Sequence, residues 1–357
     1  MRTSALALIL LALLGGGSCG PPASPAKIAS VRDLGPLGFA LSVRGRDGGH
    51  SARFHDRSVW AFGDTILAWP GVDGSTWRTS TVASSSDVDA TDGLSGFEER
   101  VDRLMAPELF IPWTDDERAY NQARSAPACL TDCPPRWVIW PGPIVVDPAT
   151  GDALVFYMKH LDWKAGGKSI ARWRDLAAPV ERPVVAPGTA EPTLLFPDGD
   201  VEPTSGAVGV GDTLYAYACK GQCIVGRVRF ADAFTRSAWR FYAGDEGWVA
   251  NFVQARWVLS SPGMLSVRYN EYLALFVALY SAGGRKVVLR TAPAPEGPWS
   301  AEVFVTEARA PEPDGPIYDA LAHGELDRDA GKRIFFSHSR GTGSFASEMR
   351  LLEVTFR

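Results

Sequence analysis

The stretch Arg44 to Thr65, RGRDGGHSARFHDRSVWAFGDT, decides how the chain is read. A short strand, Ser51 to Phe54, meets the polar turn His55-Asp56-Arg57, and an apolar, aromatic strand follows from Ser58 to Phe62. β-Branched and aromatic residues fit a half-buried pleated surface, and turn-forming polar residues interrupt it. Asp47 and His50 stand at the entry of this hairpin and Asp64 at its exit, and each costs free energy if buried without a partner. Such crowding marks a candidate site. The competing reading makes Asp47-Gly48-Gly49 a turn, leaves His50 and His55 in solvent, and has Asp64 capping a loop.

The same unit recurs down the chain: short strand, polar turn, strongly apolar strand, loop, and a third strand that carries Arg. After Ser51–Phe54, Ser58–Phe62 and Thr79–Ser84, the second copy is Pro143–Val146, Ala153–Tyr157 and Ser169–Trp173. The third is Gly206–Val210, Thr213–Ala218 and Ile224–Val228, with Trp239–Tyr242 as an outer strand. Met264–Val267, Tyr272–Leu279 and Val287–Thr291 form the fourth; Ile317–Leu321, Lys332–His338 and Met349–Phe356 form the fifth. From Asp152 onward the turns repeat at roughly sixty residues, the size of a four-stranded unit with long loops. No amphipathic helical pattern of ten or more residues interrupts them, which disfavours an α/β barrel. The expected fold is all-β, a five-bladed β-propeller over residues 34–357, with an insertion at about 98–136 and with Gly38–Val43 pairing onto the last blade to close the ring.

Composition narrows the function. A net charge of −5 with no run of Lys and Arg supplies no face for phosphates, so a nucleic-acid partner is not expected. Twelve Trp suit both blade packing and the stacking of sugar rings. The N-terminus, MRTSALALILLALLGGGSCG, has a basic start, an apolar run and small residues, which reads as a signal peptide over 1–18. Cys19 then stands where a lipoprotein signal places its lipidated cysteine, although Gly16 occupies a position where Leu is usual; plain cleavage nearby is the alternative. Residues 19–33 read as a tether, and the location as the cell envelope of an exported protein or the medium, with membrane contact only through the lipid. The other four cysteines form two pairs of one spacing, Cys129 with Cys133 and Cys219 with Cys223. In an oxidising compartment they are expected as two local disulfides; a four-cysteine zinc site is the competing reading.

Arg46-Asp47-Gly48-Gly49-His50-Ser51, Trp60-Ala61-Phe62-Gly63-Asp64-Thr65, Gly297-Pro298-Trp299-Ser300 and Tyr318-Asp319-Ala320-Leu321-Ala322-His323 together resemble the DUF4185 family of exported bacterial proteins. That family is related to five-bladed propeller glycosidases, including arabinanases, fructosidases and endo-D-arabinanases. The resemblance implies that the first strand of each blade lines a central channel and that its carboxylates do the chemistry. By position, Asp47 opens blade one, Glu202 blade three, and Asp319 with His323 blade five.

Cleaving a glycosidic bond needs one protonated carboxyl group and one ionised one, about 5 to 9.5 Å apart. Asp47 is the candidate for the ionised role, Glu202 for the acid, with Asp64 tuning the pair and Asp319 joining it. Asp200 beside Glu202 is expected to raise the apparent pKa of that pair. Glu202 departs from the arabinanase-like pattern because Pro203 follows it, and Gly324 follows His323 where Pro is expected. His50, Arg46, Trp140 and His323 are candidate sugar contacts, with Trp163 the next stacking residue. No cofactor or metal is expected, apart from a channel cation that His323 could hold; a satisfied core histidine is the competing reading. Two main function classes remain, an exported glycoside hydrolase acting on a furanose-containing or related polysaccharide and a non-catalytic propeller binding glycan or protein at the cell surface; a phosphorylase, for which only Arg44, Arg46 and His50 could supply the cationic cluster, is a minor third.

Overall fold

The computed structural model describes residues 21–38, 40–124, 136–161, 164–261, 263–283, 285–309, 317–343 and 346–357. Residues 1–18, where a signal peptide is expected, together with Cys19 and Trp163, lie outside the described residues. So do Cys129 and Cys133, the first of the two expected disulfides. Five antiparallel sheets follow one another along the chain, and each begins with its innermost strand. Those inner strands are Val43–Phe54, Trp137–Val146, Gly206–Val210, Leu265–Asn270 and Ile317–Ala322. The expected five-bladed β-propeller is therefore the fold.

Every blade–blade interface has its own apolar cluster. Phe54, Val59 and Ala61 of blade one pack on Val155 and Tyr157 of blade two. Trp60 and Phe62 face the other way, onto Phe335 and Met349 of blade five. Successive residues of a strand point to opposite faces, so a second strand buried on both sides must be apolar throughout. This is why Ser58–Phe62 and its counterparts carry the strongest apolar signal in each repeat. The turn between the first two strands of blade one is His55-Asp56, both left-handed at φ 45° and 60°, the twist that suits a two-residue hairpin.

Ring closure differs from the expectation. Ile28–Pro36, which begins inside the stretch read as tether and runs past its end at residue 33, is the outermost strand of blade five and pairs with the last strand from Ile28 opposite Phe356 to Pro36 opposite Arg350. Gly38–Val43 was expected in this place, but the alternation in IASVRDLGP is weak because an outer strand buries little. Its start is also fixed: Pro22 O accepts from Ala301 N at 2.8 Å and Ser24 Oγ meets Thr291 Oγ1 at 2.9 Å. The chain thus enters at the end of the ring where inner strands finish, beside Lys332, whose carbonyl accepts from Phe356 N.

Within the expected insertion, Asp115–Ala123 is a helix opened by a capping box between Thr114 and Glu117. Glu117 also reaches under blade two, where its carboxylate meets Arg182 at 2.5 Å and Lys159 at 2.6 Å, all three side chains being nearly inaccessible. Their guanidinium and ammonium hold the Glu117 pKa down to about 2 against the desolvation of the site. In blade three, Thr213–Arg229 doubles back at Lys220-Gly221-Gln222, and the Cys219–Cys223 disulfide closes that hairpin. This bridge is the second of the two expected, and it falls within the described residues whereas that between Cys129 and Cys133 does not. No described helix is long and apolar enough to cross a membrane.

Candidate functional site

Asp47 sits inside a continuous strand, not in a turn. The pairing register of Val43–Phe54 with Arg57–Leu67 skips between Arg46 and Gly48 and again between Gly48 and His50. Gly48 and Gly49 take φ of 84° and 91°, and a side chain on Gly49 would collide with the Met349 methyl, so this double bulge requires glycines. Bulges re-aim side chains, and this one turns Asp47 toward the end of the ring where the inner strands begin. Blade five answers with a bulge of its own. Its register skips between Tyr318 and Leu321, and Asp319 is held at φ 51°.

The two bulges meet. Tyr318 Oη donates to Asp47 Oδ2 at 2.9 Å, and the backbone N–H of Gly48 donates to the Asp319 carboxylate. Asp64, on the second strand of blade one, completes a trio. Its Oδ1 accepts from Trp140 Nε1 of blade two at 2.8 Å and from Trp77 Nε1 at 3.1 Å. Gly63 makes room for the arrangement, because a Cβ there would lie 2.7 Å from Asp47 Oδ1. Burial and the neighbouring Asp47 charge push both Asp64 and Asp319 up to about 7. Asp47 is also raised by burial, but its donors from Tyr318 and from the Asp64 backbone pull it back. Three like-charged groups cannot all ionise at low cost, so near neutral pH the cluster retains protons.

Glu202 is placed differently from the expectation. Lys220 Nζ lies 2.8 Å and Lys168 Nζ 3.6 Å from its carboxylate, and these partners outweigh desolvation to lower its pKa, opposite to what a proton donor requires. Asp200 does not raise it, because Asp200 is itself clasped by Arg236 through two bonds of 2.7 Å. Glu202 still connects to the trio by contacts. Lys168 meets His160 at 3.3 Å, the His160 ring packs 4.8 Å from that of Trp140, and Trp140 bonds Asp64.

The other candidate contacts sort by burial. Arg46 has no exposed side-chain surface; it pairs with Glu99 at 3.0 Å and lies 3.7 Å over Phe62, so it is a core ion pair and not a sugar contact. His323 is the satisfied core histidine. Its Nδ1 meets Ser51 Oγ at 2.7 Å, its Nε2 meets Ser337 Oγ at 2.9 Å, and Trp60 packs on its ring at 3.9 Å. Both nitrogens being taken, it offers no lone pair to a sugar or a channel cation. Among the described residues no group of three or more His, Cys, Asp or Glu is placed to hold a metal ion. His50 is buried, with its pKa lowered to about 4 by desolvation, and it lines the central cavity of about 320 Å³ below the trio. Trp140 is at the mouth, where its indole N–H orients Asp64. Tyr318, Trp77 and Lys168 were missed, since a lone Tyr, Trp or Lys carries no motif; Tyr318 does precede Asp319 in the segment that drew attention to blade five.

The model of the family described as "Domain of unknown function (DUF4185)" matches residues 202–340. No curated protein matches the chain in sequence. Among solved structures, a hydrolase candidate from Bacteroides ovatus aligns at a TM-score of 0.55 with 13% identity, covering 88% of this chain and 87% of that one. A protein of unknown function from Dyadobacter fermentans aligns at 0.51 with 12% identity, covering 92% and 100%. The RS223 β-xylosidase aligns at 0.50 with 10% identity, covering 90% and 97%. At these identities the likeness is one of fold.

Proposed function

Proceeding from a five-bladed propeller of DUF4185 type with an acidic mouth, we propose that this chain is a glycoside hydrolase acting on a furanose-containing or related polysaccharide. It works as an exported protein at the bacterial cell envelope, anchored through Cys19. The observation that supports this reading is the trio itself: Asp47, Asp64 and Asp319 converge from two blades, and burial beside the Asp47 charge raises Asp64 and Asp319 to about 7.

Roles follow from the hydrogen bonds. With both indoles on Oδ1 of Asp64, its proton belongs on Oδ2, free to pass to the oxygen of a leaving sugar. Asp47 accepts from Tyr318 and from backbone N–H groups, donors that favour its ionised form, and so it activates water or attacks the sugar. Glu202 loses the acid role that its position suggested and becomes an ion-paired carboxylate at the rim of blade three.

The experiment is release of reducing ends from arabinan, arabinogalactan, fructan and xylan by the purified protein, with Asp47→Asn and Asp64→Asn beside it. Turnover by the parent, lost in both variants with the fold intact, supports the reading. The ion-paired state of Glu202 favours the second reading, a non-catalytic glycan-binding propeller. Retardation in polysaccharide gels without turnover by the parent would establish that one instead.

A further inference from the structure

We propose that Tyr318 is a positioning residue: by donating to Asp47 Oδ2 it makes Asp47 the member of the trio that stays ionised, leaving the retained protons to Asp64 and Asp319. The inference deepens the hydrolase reading and rests on it only for activity; the order of ionisation is a property of the free protein.

Three observations carry it. The Tyr318 hydroxyl lies 2.9 Å from Asp47 Oδ2, a distance for a good O–H donor to a carboxylate. Tyr318 and Asp319 are adjacent on a bulged strand, and the left-handed turn of Asp319 sends two neighbouring side chains to the same place. Blade five therefore delivers a donor and an acid together. The trio's donors are also unequal in kind. Asp64 receives indole N–H bonds on one oxygen only, Asp319 receives the Gly48 N–H, and Asp47 receives the tyrosine in addition to backbone N–H groups.

The groups that face Asp47 are known from each element around it. Asp64 comes from the adjacent strand of blade one, Tyr318 and Asp319 from blade five, and Trp140 of blade two approaches through Asp64. The charges that raise Asp64 and Asp319 are those of Asp47 itself. Tyr318 cannot supply an anion of its own, because burial and the three surrounding carboxylates push its pKa far up. It therefore remains a donor throughout the range in which the three carboxyls titrate, and the hydrogen bond selects which carboxylate carries the negative charge.

The test is a ¹³C NMR titration of the Asp side-chain carboxyls in the full folded chain, parent against Tyr318→Phe. The parent should show Asp47 ionising first. A hydrogen bond to a charged group is worth enough to move a midpoint by about one to two pH units, so in Tyr318→Phe the Asp47 midpoint should rise by that amount and Asp64 or Asp319 should ionise earlier. Asp319→Asn keeps the tyrosine, and because Asp319 is still protonated when Asp47 ionises, the Asp47 midpoint should stay near that of the parent; a fall of about a unit or more would mean that Asp319 ionises before Asp47 and would overturn the proposal. Where the parent has measurable turnover, the acid limb of its pH profile should move up in Tyr318→Phe with the Asp47 midpoint. An unchanged Asp47 midpoint in Tyr318→Phe, or Asp47 ionising last in the parent, overturns the proposal. Absence of turnover together with the expected titration overturns the hydrolase reading and leaves this one standing.

Discussion

Replacing Asp64 by Asn should stabilise the protein in alkaline solution and leave it unchanged in acid. Burial and the Asp47 charge hold Asp64 at about 7, against 3.8 for an ordinary aspartate. A carboxyl whose folded-state pKa is raised costs the folded state nothing while both states are protonated. Stability is lost as pH climbs from 3.8 toward 7, and the loss is complete above it. The difference of 7 − 3.8, or 3.2 pH units, corresponds to about 4 kcal/mol. Because part of that shift comes from Asp47 and the group keeps some contact with solvent, roughly 2–4 kcal/mol is the working range. Asn keeps the Oδ1 that accepts both indoles and offers Asp47 an N–H in place of a charge. Urea denaturation at about pH 3 and about pH 8.5, on either side of the titration, reads the effect. The parent should lose stability between the two, Asp64→Asn should lose less, and on the alkaline side the variant should be the more stable. A variant no more stable than the parent there would refute the claim that Asp64 is strained by ionisation.

Other outcomes follow from features already described. Gly63→Ala puts a methyl 2.7 Å from Asp47 Oδ1, so the carboxylate must move; turnover should fall about a hundredfold while the melting curve shifts little. Glu117→Gln leaves the buried Arg182 without its counter-charge, while Lys159 keeps its pair with Glu191, and should cost about 3 kcal/mol in denaturant titration. Reducing Cys219–Cys223 opens a very small loop, worth roughly 2 kcal/mol, and peptide mass spectrometry of the unreduced protein should recover the pair linked.

The blade count was legible because each second strand is buried on both faces and so stays apolar at every position, as in Val59-Trp60-Ala61-Phe62. The closing strand was not, since Ile28–Pro36 has a neighbour on one side only and its burial alternates weakly. At the site, Asp47, Asp64 and Asp319 stood out as carboxylates inside apolar surroundings, and Trp140 as an aromatic at a strand entry. Arg46 and His323 shared those motifs, yet their partners Glu99, Ser51 and Ser337 lie far along the chain or across a blade. Linear sequence does not show whether a polar residue finds its partner. Glu202 illustrates the same point in reverse: Lys220 stands at a hairpin tip, and only the folding back of that hairpin brings an ammonium to the carboxylate.

The way the chain enters the ring bears on how the protein would stand at a surface. Residues 22 and 24 are already fastened to blade four, and Ile28 starts the outermost strand at the end of the ring opposite the carboxylates. A chain attached through Cys19 would have only Gly20 and Pro21 as slack before the first of those fastenings, a reach of about 10 Å. Held so closely by that end, the ring would rest with its turns toward the lipid and its acidic opening toward the space beyond. An insoluble or wall-bound polymer could then be met from outside without the protein having to tip over.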